Sequence, residues 1–272
     1  MKKFSAASAP YLIWSIIFVV VPLGLVAVFA FTTPEGVFTI DNISKVSAYT
    51  PVFVRSIWLA LVATAICLVI GYPLAFIMSR ALPNNQRTLV MLIMLPMWMN
   101  FLLRTYAWMT LLENNGVINT ILTSLGLPAA RMIYTQGAVV LGMVYNYLPF
   151  MILPLYSVMT KIDKMTLEAA QDLGANGFNS FIRVILPLSV PGITTGITMV
   201  FVPAISTFII SRMLGGGSNM LIGDLIDAQF LGNAYNPNLG AAISLVLMVF
   251  ILLFMSILNQ FEDSEEREGM MV

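Results

Sequence analysis

The sequence predicts an all-α integral membrane protein, with six transmembrane helices in one domain over residues 1–272. Apolar residues make up 59% of the chain and charged residues only 10%, and the mean hydropathy is +0.90. A water-soluble fold typically carries about 25% charged residues, because its surface faces water. This chain instead contains six long apolar runs, each suited to a bilayer core about 30 Å thick.

The first apolar run, Tyr11 to Phe31, has 21 residues and no charge. A secretory signal peptide is the alternative interpretation, since Lys2 and Lys3 precede the run and Ala27 and Ala30 lie near its end. Those alanines lack the A-x-A spacing, and the run is longer than the apolar region of about 7–15 residues in a signal peptide. We therefore expect the first helix to be retained.

The complete set of predicted spans is 11–31, 56–78, 88–112, 137–159, 188–211 and 239–258. Several contain proline, which frees a backbone carbonyl group that a neighbouring helix or a cavity must satisfy. Gly192 and Gly196 form a GxxxG pattern on the fifth span. Such small residues allow close helix packing in lipid, so we expect them to pack within the subunit or against a partner.

Basic residues predict the orientation, because cytoplasmic loops are enriched in lysine and arginine. With the N-terminus inside, the outer segments hold five basic residues, Lys45, Arg55, Arg104, Arg131 and Arg212. The inner segments then hold eight, Lys2, Lys3, Arg80, Arg87, Lys161, Lys164, Arg183 and Arg267. Both termini and the loop 160–187 are therefore predicted to be cytoplasmic.

Composition also excludes several classes of function. The chain has no histidine, one cysteine and no net charge. It therefore lacks a histidine base, a Cys/His zinc site and an intrachain disulfide. Because the net charge is zero, no long-range electrostatic attraction for nucleic acid is expected. The glycines 215–217 are not followed by Lys-Ser/Thr, so they form no phosphate-binding loop and are expected to make an outer turn. We predict no enzyme activity, no metal and no cofactor.

The loop 160–187 differs from the apolar runs around it. Lys161 to Gly174 is typical of a short helix, with Asp163 capping its start and Gly174 in a left-handed conformation at its end. Met165, Leu167, Ala170 and Leu173 recur at helical spacing, which predicts one apolar face. A second turn, 177–184, leads to Pro187, which is expected to end it.

This helix could lie on the membrane surface, but such helices usually carry aromatic residues and a lysine-rich polar face. Here a carboxylate, Glu168, stands beside the small residues Ala169 and Ala170. Small side chains allow another protein to approach, and a carboxylate can pair with an arginine across that contact. The pattern favours a docking surface for another protein.

Glu168-Ala169-Ala170, followed by Gly174 and by Val184-Ile-Leu-Pro187, resembles the EAA motif of ABC importer permeases. That family prefers isoleucine where this chain has Val184. The resemblance implies a type I ABC importer permease fold, in which this loop forms a coupling helix seated in a groove of the cytoplasmic ATPase. The residues to which it assigns coupling are Glu168, Ala169, Ala170, Asp172, Gly174, Leu186 and Pro187.

Further stretches resemble the spermidine/putrescine branch of that family, at 95–100, 104–108, 145–156, 172–175, 214–217, 221–223 and 240–242. The resemblance implies a bacterial plasma (inner) membrane location, surrounding lipid, and a heterodimer with a second permease. It also implies two ATPase subunits and an extracytoplasmic solute-binding protein. Sister branches share this framework, so an amino acid, an inorganic anion or a thiamine-like solute is the alternative substrate.

Two different classes of membrane protein, an ion-coupled secondary transporter and a membrane-embedded enzyme, could also consist of apolar spans. A secondary transporter needs ion-coupling residues within the spans, and a membrane-embedded enzyme needs a set of catalytic residues there. Apart from Arg104, the apolar runs contain no Asp, Glu, Lys or Arg, and no catalytic group can be assembled. The importer permease remains the favoured interpretation.

Polyamines are flexible cations with methylene spacers, which suit aromatic faces and dispersed carboxylates. The alternative for the aromatic residues is an ordinary place at the membrane interface. The outer segments balance five acids against five bases, so charge alone does not select a cation. The candidate path residues are Trp98, Asn100, Tyr106, Trp108, Glu113, Tyr145, Tyr147, Asp224 and Asp227.

Overall fold

The structure, a computed structural model, describes residues 9–232 and 234–269, with side chains omitted for Ala9, Lys164 and 261–269. Lys2 and Lys3 lie outside these residues, and so does the side chain of Arg267. Regular structure within the described ranges is helical apart from one isolated antiparallel bridge between Thr32 and Phe38. The predicted all-α class is confirmed.

Twelve helices are numbered here in chain order. They are α1 (Pro10–Ala30), α2 (Asp41–Val46), α3 (Thr50–Arg80), α4 (Pro83–Met94), α5 (Phe101–Leu112), α6 (Val117–Ser124), α7 (Gln136–Met159), α8 (Lys164–Asp172), α9 (Gly177–Leu188), α10 (Val190–Ser206), α11 (Ile222–Phe230) and α12 (Pro237–Gly269). Short π-helical turns interrupt α1 at Ile16–Val20 and α9 at Phe181–Ile185.

Four of the described segments are single helices long and apolar enough to cross a membrane: Pro10–Ala30, Asp41–Arg80, Gln136–Met159 and Pro237–Gln260. Two bent pairs pass the same test, and counting each pair as one span gives up to six. The first pair, over 83–124, contains the predicted third span, 88–112. The second, over 177–206, overlaps the predicted fifth span, 188–211, but its first helix lies within the predicted loop 160–187 apart from Leu188.

The third predicted span, 88–112, is not one straight helix. Helix α4 passes into a 3₁₀ turn at Leu95–Trp98, and the chain then bends by 85° before α5 continues. Pro96 removes a backbone donor in that turn. Met99 is extended, and the Asn100 side chain starts the new helix by accepting the N–H of Leu102 at 2.8 Å.

The fifth predicted span, 188–211, also differs from the structure. Helix α9 runs through Pro187 to Leu188, so the prediction that Pro187 ends the helix is wrong. The bend of 63° comes after it, at Ser189, whose N–H donates to the carbonyl oxygen of Ile185 at 3.0 Å. Pro187 has no N–H to donate to the preceding turn, and the helix ends one residue after it. Helix α10 ends at Ser206, and Thr207 is extended.

The described chain divides into two compact units. The first contains the residues up to Phe53 together with Leu225–Leu253. Within it, the side-chain amides of Asn42 and Asn238 both donate to the carbonyl oxygen of Thr32, at 2.9 and 2.7 Å. The same two amides also donate to the carbonyl oxygens of Ala30 and Phe29, and so satisfy backbone groups freed where α1 ends.

The second unit contains Val54–Asp224 and the described residues from Phe254 onwards. Its centre is the contact between α7 and α10. A Cβ atom on Gly192 would lie 3.2 Å from the Cα of Leu155, and one on Gly196 would lie 2.7 Å from the Sδ of Met151. The GxxxG pattern therefore packs within the subunit, where glycine lets two backbones approach closely.

Candidate coupling loop and membrane cavities

Helix α8 has the ends that the sequence predicts. The Asp163 side chain accepts the N–H of Met165 at 3.0 Å. At the other end Gly174 has a φ of +87°, and its N–H donates to the carbonyl oxygen of Gln171 at 2.8 Å. The N–H of Ala175 donates to the carbonyl oxygen of Ala170 at 3.0 Å, which completes a Schellman motif. Both predicted caps are confirmed.

One face of α8 is exposed along its whole length. We call it the loop face, and it consists of Met165, Glu168, Ala169, Asp172 and Leu173, at positions i, i+3, i+4, i+7 and i+8. Leu173 is 90% exposed, although it is a large apolar side chain. The predicted apolar face is therefore split, because Leu167 and Ala170 are half-buried on the other side.

The loop is fixed at both ends to α3. Ile162 is buried, and its carbonyl oxygen accepts from Nη1 of Arg80 at 3.4 Å. At the far end the hydroxyl groups of Tyr72 and Ser189 lie 2.8 Å apart, and the Tyr72 ring meets Phe181 edge-on at 5.6 Å. These contacts hold α8 and α9 at the ends of membrane-crossing helices.

The remaining predicted coupling residues lie elsewhere in the loop. Gly174 is exposed at the end of α8. Leu186 and Pro187 are also exposed but belong to α9, so they do not share a helix with Glu168.

A cavity of about 490 Å³ lies among α5, α7, α10 and the 3₁₀ turn before α5. Arg104 is only 8% exposed, and its Nε and Nη1 atoms have no hydrogen-bond partner among the described residues. Asn146 donates to the carbonyl oxygen of Gly142 at 2.8 Å, but its Oδ1 likewise has no partner there. The lining residues are Met97, Phe101, Arg104, Asn146, Tyr147, Phe150, Met199 and Pro203.

Of the predicted path residues, Tyr147 alone lines this first cavity, and its hydroxyl donates to the carbonyl oxygen of Pro203 at 3.3 Å. Sequence reasoning did not assign Arg104 or Asn146 to a site. Both are strongly polar residues inside apolar runs, and that placement is the signal that could have found them.

A second cavity, of about 450 Å³, brings Trp108 and Tyr145 together. Their rings meet edge-on with centroids 5.4 Å apart. The other lining residues are apolar: Ile66, Gly137, Val140, Leu141, Val144 and Leu148. This cavity has the aromatic faces expected for methylene contact but no charged group.

The other predicted aromatic and polar residues line neither cavity. Trp98 is 72% exposed and Tyr106 56% exposed. Glu113 is exposed just after α5. The Oδ1 of Asn100 accepts the N–H groups of Leu102 and Leu103, so it caps α5.

Asp224 is buried and engaged within the protein. Its Oδ2 accepts the N–H of Leu221 at 3.0 Å, and its Oδ1 lies 3.8 Å from Nε of Arg212. It therefore stabilises the start of α11. Asp227 is half-buried and lies in the first compact unit. No group of three or more metal-ligating side chains occurs among the described residues.

The apolar helices, including two bent pairs, and the exposed short helix between the fourth and fifth predicted spans agree with the predicted fold of an ABC importer permease. Two crystal structures of a bacterial importer of the polysaccharide alginate match the chain with a TM-score of 0.75 and 19% identity. The first match covers 96% of this chain and 94% of the other chain. The second covers 94% of this chain and 92% of the other. One contains a periplasmic protein bound to alginate pentasaccharide.

The sequence comparisons define the family more narrowly. The chain is 42% identical to the spermidine/putrescine transport system permease protein PotB of Haemophilus influenzae over 252 residues, which is 88% of this chain and 87% of that protein. It is 40% identical to PotB of Escherichia coli over 247 residues, 87% of this chain and 89% of that one. No family model matches.

The chain belongs to the spermidine/putrescine transport system permease family. It is an integral membrane protein and a transport subunit, and it is not itself an enzyme. The family implies a partner permease, an ATPase and a solute-binding protein. The predicted resemblance is confirmed.

Proposed function

We propose that this chain forms, with a second permease subunit, the path by which an ATP-driven importer carries polyamines across the bacterial inner membrane. The observation that carries this proposal is the identity of 42% to a spermidine/putrescine permease over 88% of the chain. The complete importer would contain two ATPase subunits and would receive its solute from an extracytoplasmic binding protein.

The loop face of α8 is the proposed contact with the ATPase. Its apolar side chains Leu173 and Met165 are 90% and 66% exposed in this chain, so they are available for contact with another protein. Between these apolar residues, the exposed carboxylate of Glu168 can pair with an arginine of the ATPase. The other proposed coupling residues are Ala169, Ala170, Asp172, Gly174, Leu186 and Pro187.

Movement of the ATPase would reach the spans through the fixed ends of the loop. The Tyr72–Ser189 contact lies at the 63° bend between α9 and α10. The bend is a discontinuity at which α9 can rotate relative to α10. Closure of the ATPase dimer on ATP would therefore change the exposure of the membrane path, and no covalent step involves the solute.

The proposed solute path includes the first cavity. Phe101, Tyr147 and Phe150 offer aromatic faces to a methylene chain. The Oδ1 of Asn146 is buried without a partner among the described residues, and it would accept from an ammonium group once the side chain turns into the cavity. Trp108 and Tyr145 in the second cavity offer further aromatic surface.

Reconstitution of the chain with the second permease and the ATPase in proteoliposomes, with binding protein outside, tests the proposal. We expect uptake of radiolabelled spermidine or putrescine that requires ATP enclosed within the vesicles. Uptake of a neutral or anionic solute instead would refute the polyamine assignment, and uptake without the ATPase would refute the importer mechanism.

We also propose that both termini and the loop 160–187 are cytoplasmic, on the basic-residue bias of eight to five. Single cysteines at Ser5, Asn176 and Ser264, in a Cys67→Ser background, should resist an impermeant thiol reagent in intact cells. Leu127→Cys, exposed in a predicted outer segment, should react and serves as the control. Labelling at any of the first three positions would contradict this topology.

A further inference from the structure

The guanidinium of Arg104 has an unusual setting in the first cavity. Arginine stays protonated in proteins, so burial does not remove its charge. Arg104 is 8% exposed, and two of its three nitrogen atoms have no partner among the described residues. A buried charge without a partner is strongly unfavourable, which indicates that a group outside the described chain completes this site.

No carboxylate of the chain performs this role among the side chains that the structure describes. The ion pair found in the second unit joins Arg212 to Asp224 and does not involve Arg104. The Phe101 ring lies 5.9 Å from the guanidinium carbon of Arg104, which offers a cation–π contact but no hydrogen-bond acceptor.

The depth of the cavity argues against a lipid headgroup. Asn146, which lines it, is ten residues from the start of the 24-residue helix α7. At about 1.5 Å per residue, it lies roughly 15 Å along the helix, near its middle. Headgroup phosphates belong to the interfacial regions, beyond the hydrocarbon core of about 30 Å.

The proposed solute does not complete the site either, because a polyamine carries ammonium groups, which donate hydrogen bonds and repel a guanidinium. A group that both accepts hydrogen bonds and carries negative charge, as a carboxylate does, matches a guanidinium best. Met199, another lining residue, is 48% exposed, so the cavity opens on the surface of this unit, where a second chain can approach.

We propose that an aspartate or glutamate of the second permease subunit enters this cavity, pairs with Arg104 and neutralises it, so that Asn146 and the aromatic lining can still contact a cationic solute. This inference rests on the proposed function only in requiring a second permease. A buried, directional ion pair of this kind would fix the register of the two subunits.

A photo-crosslinking amino acid in place of Phe150, in the assembled complex, identifies the facing segment. We expect a covalent link to the second permease, at a peptide of an apolar span that contains Asp or Glu. Val144, on the same helix but lining the other cavity, provides the comparison position. A link from position 150 only to this chain, to lipid or to the binding protein would overturn the proposal.

Charge reversal then tests the pair itself. Arg104→Glu should lower the amount of co-purified second permease by roughly tenfold or more, since like charges would be buried together. Replacing the identified acid of the second permease with arginine, together with Arg104→Glu, should restore the amount of co-purified second permease. Arg87→Glu, at an exposed arginine, should leave the yield unchanged.

Normal yield with Arg104→Glu, or failure of the reversed pair to restore it, would refute the ion pair. Complex yield does not depend on the solute. A wild-type complex that assembles but carries no polyamine would therefore refute the proposed function and leave this inference standing.

Discussion

The loop 160–187 and the first cavity belong to the same compact unit, but they depend on the sequence in different ways. Helix α8 is defined by bonds between near neighbours, such as that between Asp163 and Met165. The cavity is built by distant residues, for example Tyr147 and Pro203, which lie 56 positions apart. A local element can be predicted from a short stretch of sequence, whereas a cavity requires the packing of several helices.

The two regions also violate the usual pattern of burial in opposite directions. The loop exposes an apolar side chain, Leu173, at 90%, and the cavity hides a charged one, Arg104, at 8%. A buried charge without a partner is unfavourable in the isolated chain, and the exposed apolar side chain is available for contact with another protein. We infer that both regions are completed by other subunits, the ATPase at the loop and the second permease at the cavity.

The largest expected effect is at the loop face. Glu168→Lys should reduce uptake more than tenfold without preventing membrane insertion, because an interfacial pair broken in this way costs about 2–5 kcal/mol. Uptake and ATPase co-purification provide the measurement. Glu35→Lys, an exposed acid in a predicted outer loop, is the matched control and should behave as wild type. Full uptake with Glu168→Lys would remove this residue from the interface.

A second effect should appear in the packing that supports the cavity. Gly196→Val places atoms against Met151, whose Sδ would lie 2.7 Å from the new Cβ, so overpacking should destabilise the subunit by about 1–3 kcal/mol. Thermal unfolding of the purified complex should show a lower Tm. Gly24→Val, where nothing lies within 4 Å of a new Cβ, should have little effect. Equal Tm values for the two variants would contradict the α7–α10 contact.

A smaller effect is expected where α8 ends. Gly174 has a φ of +87°, and a side chain in the left-handed region costs about 1–2 kcal/mol. Gly174→Ala should therefore loosen the end of α8 and reduce uptake partly, with the complex still assembled. Gly177→Ala is the paired control, because Gly177 has no positive φ and nothing lies within 4 Å of an added Cβ. If both variants transport equally, the cap does not matter for coupling.

The sequence predicted the class of fold and both caps of α8, because hydropathy and capping are local properties. It did not predict the bend at Ser189, since a proline such as Pro187 can either end a helix or lie within its last turn. The sequence analysis also treated Asp224 as a candidate for solute binding. In the structure, the Asp224 carboxylate accepts a hydrogen bond from the backbone N–H of Leu221. Which polar residues meet in a cavity depends on helix packing, and no short pattern records it.

The most direct test of the account measures ATPase binding and polyamine uptake side by side, in proteoliposomes containing Glu168→Lys or Asn146→Ala. If the loop couples the ATPase and the cavity carries the solute, Glu168→Lys should lose both bound ATPase and uptake. Asn146→Ala should keep the ATPase and lose uptake, because it removes an acceptor for ammonium groups. Loss of ATPase with Asn146→Ala, or normal ATPase binding with Glu168→Lys, would contradict this division of roles.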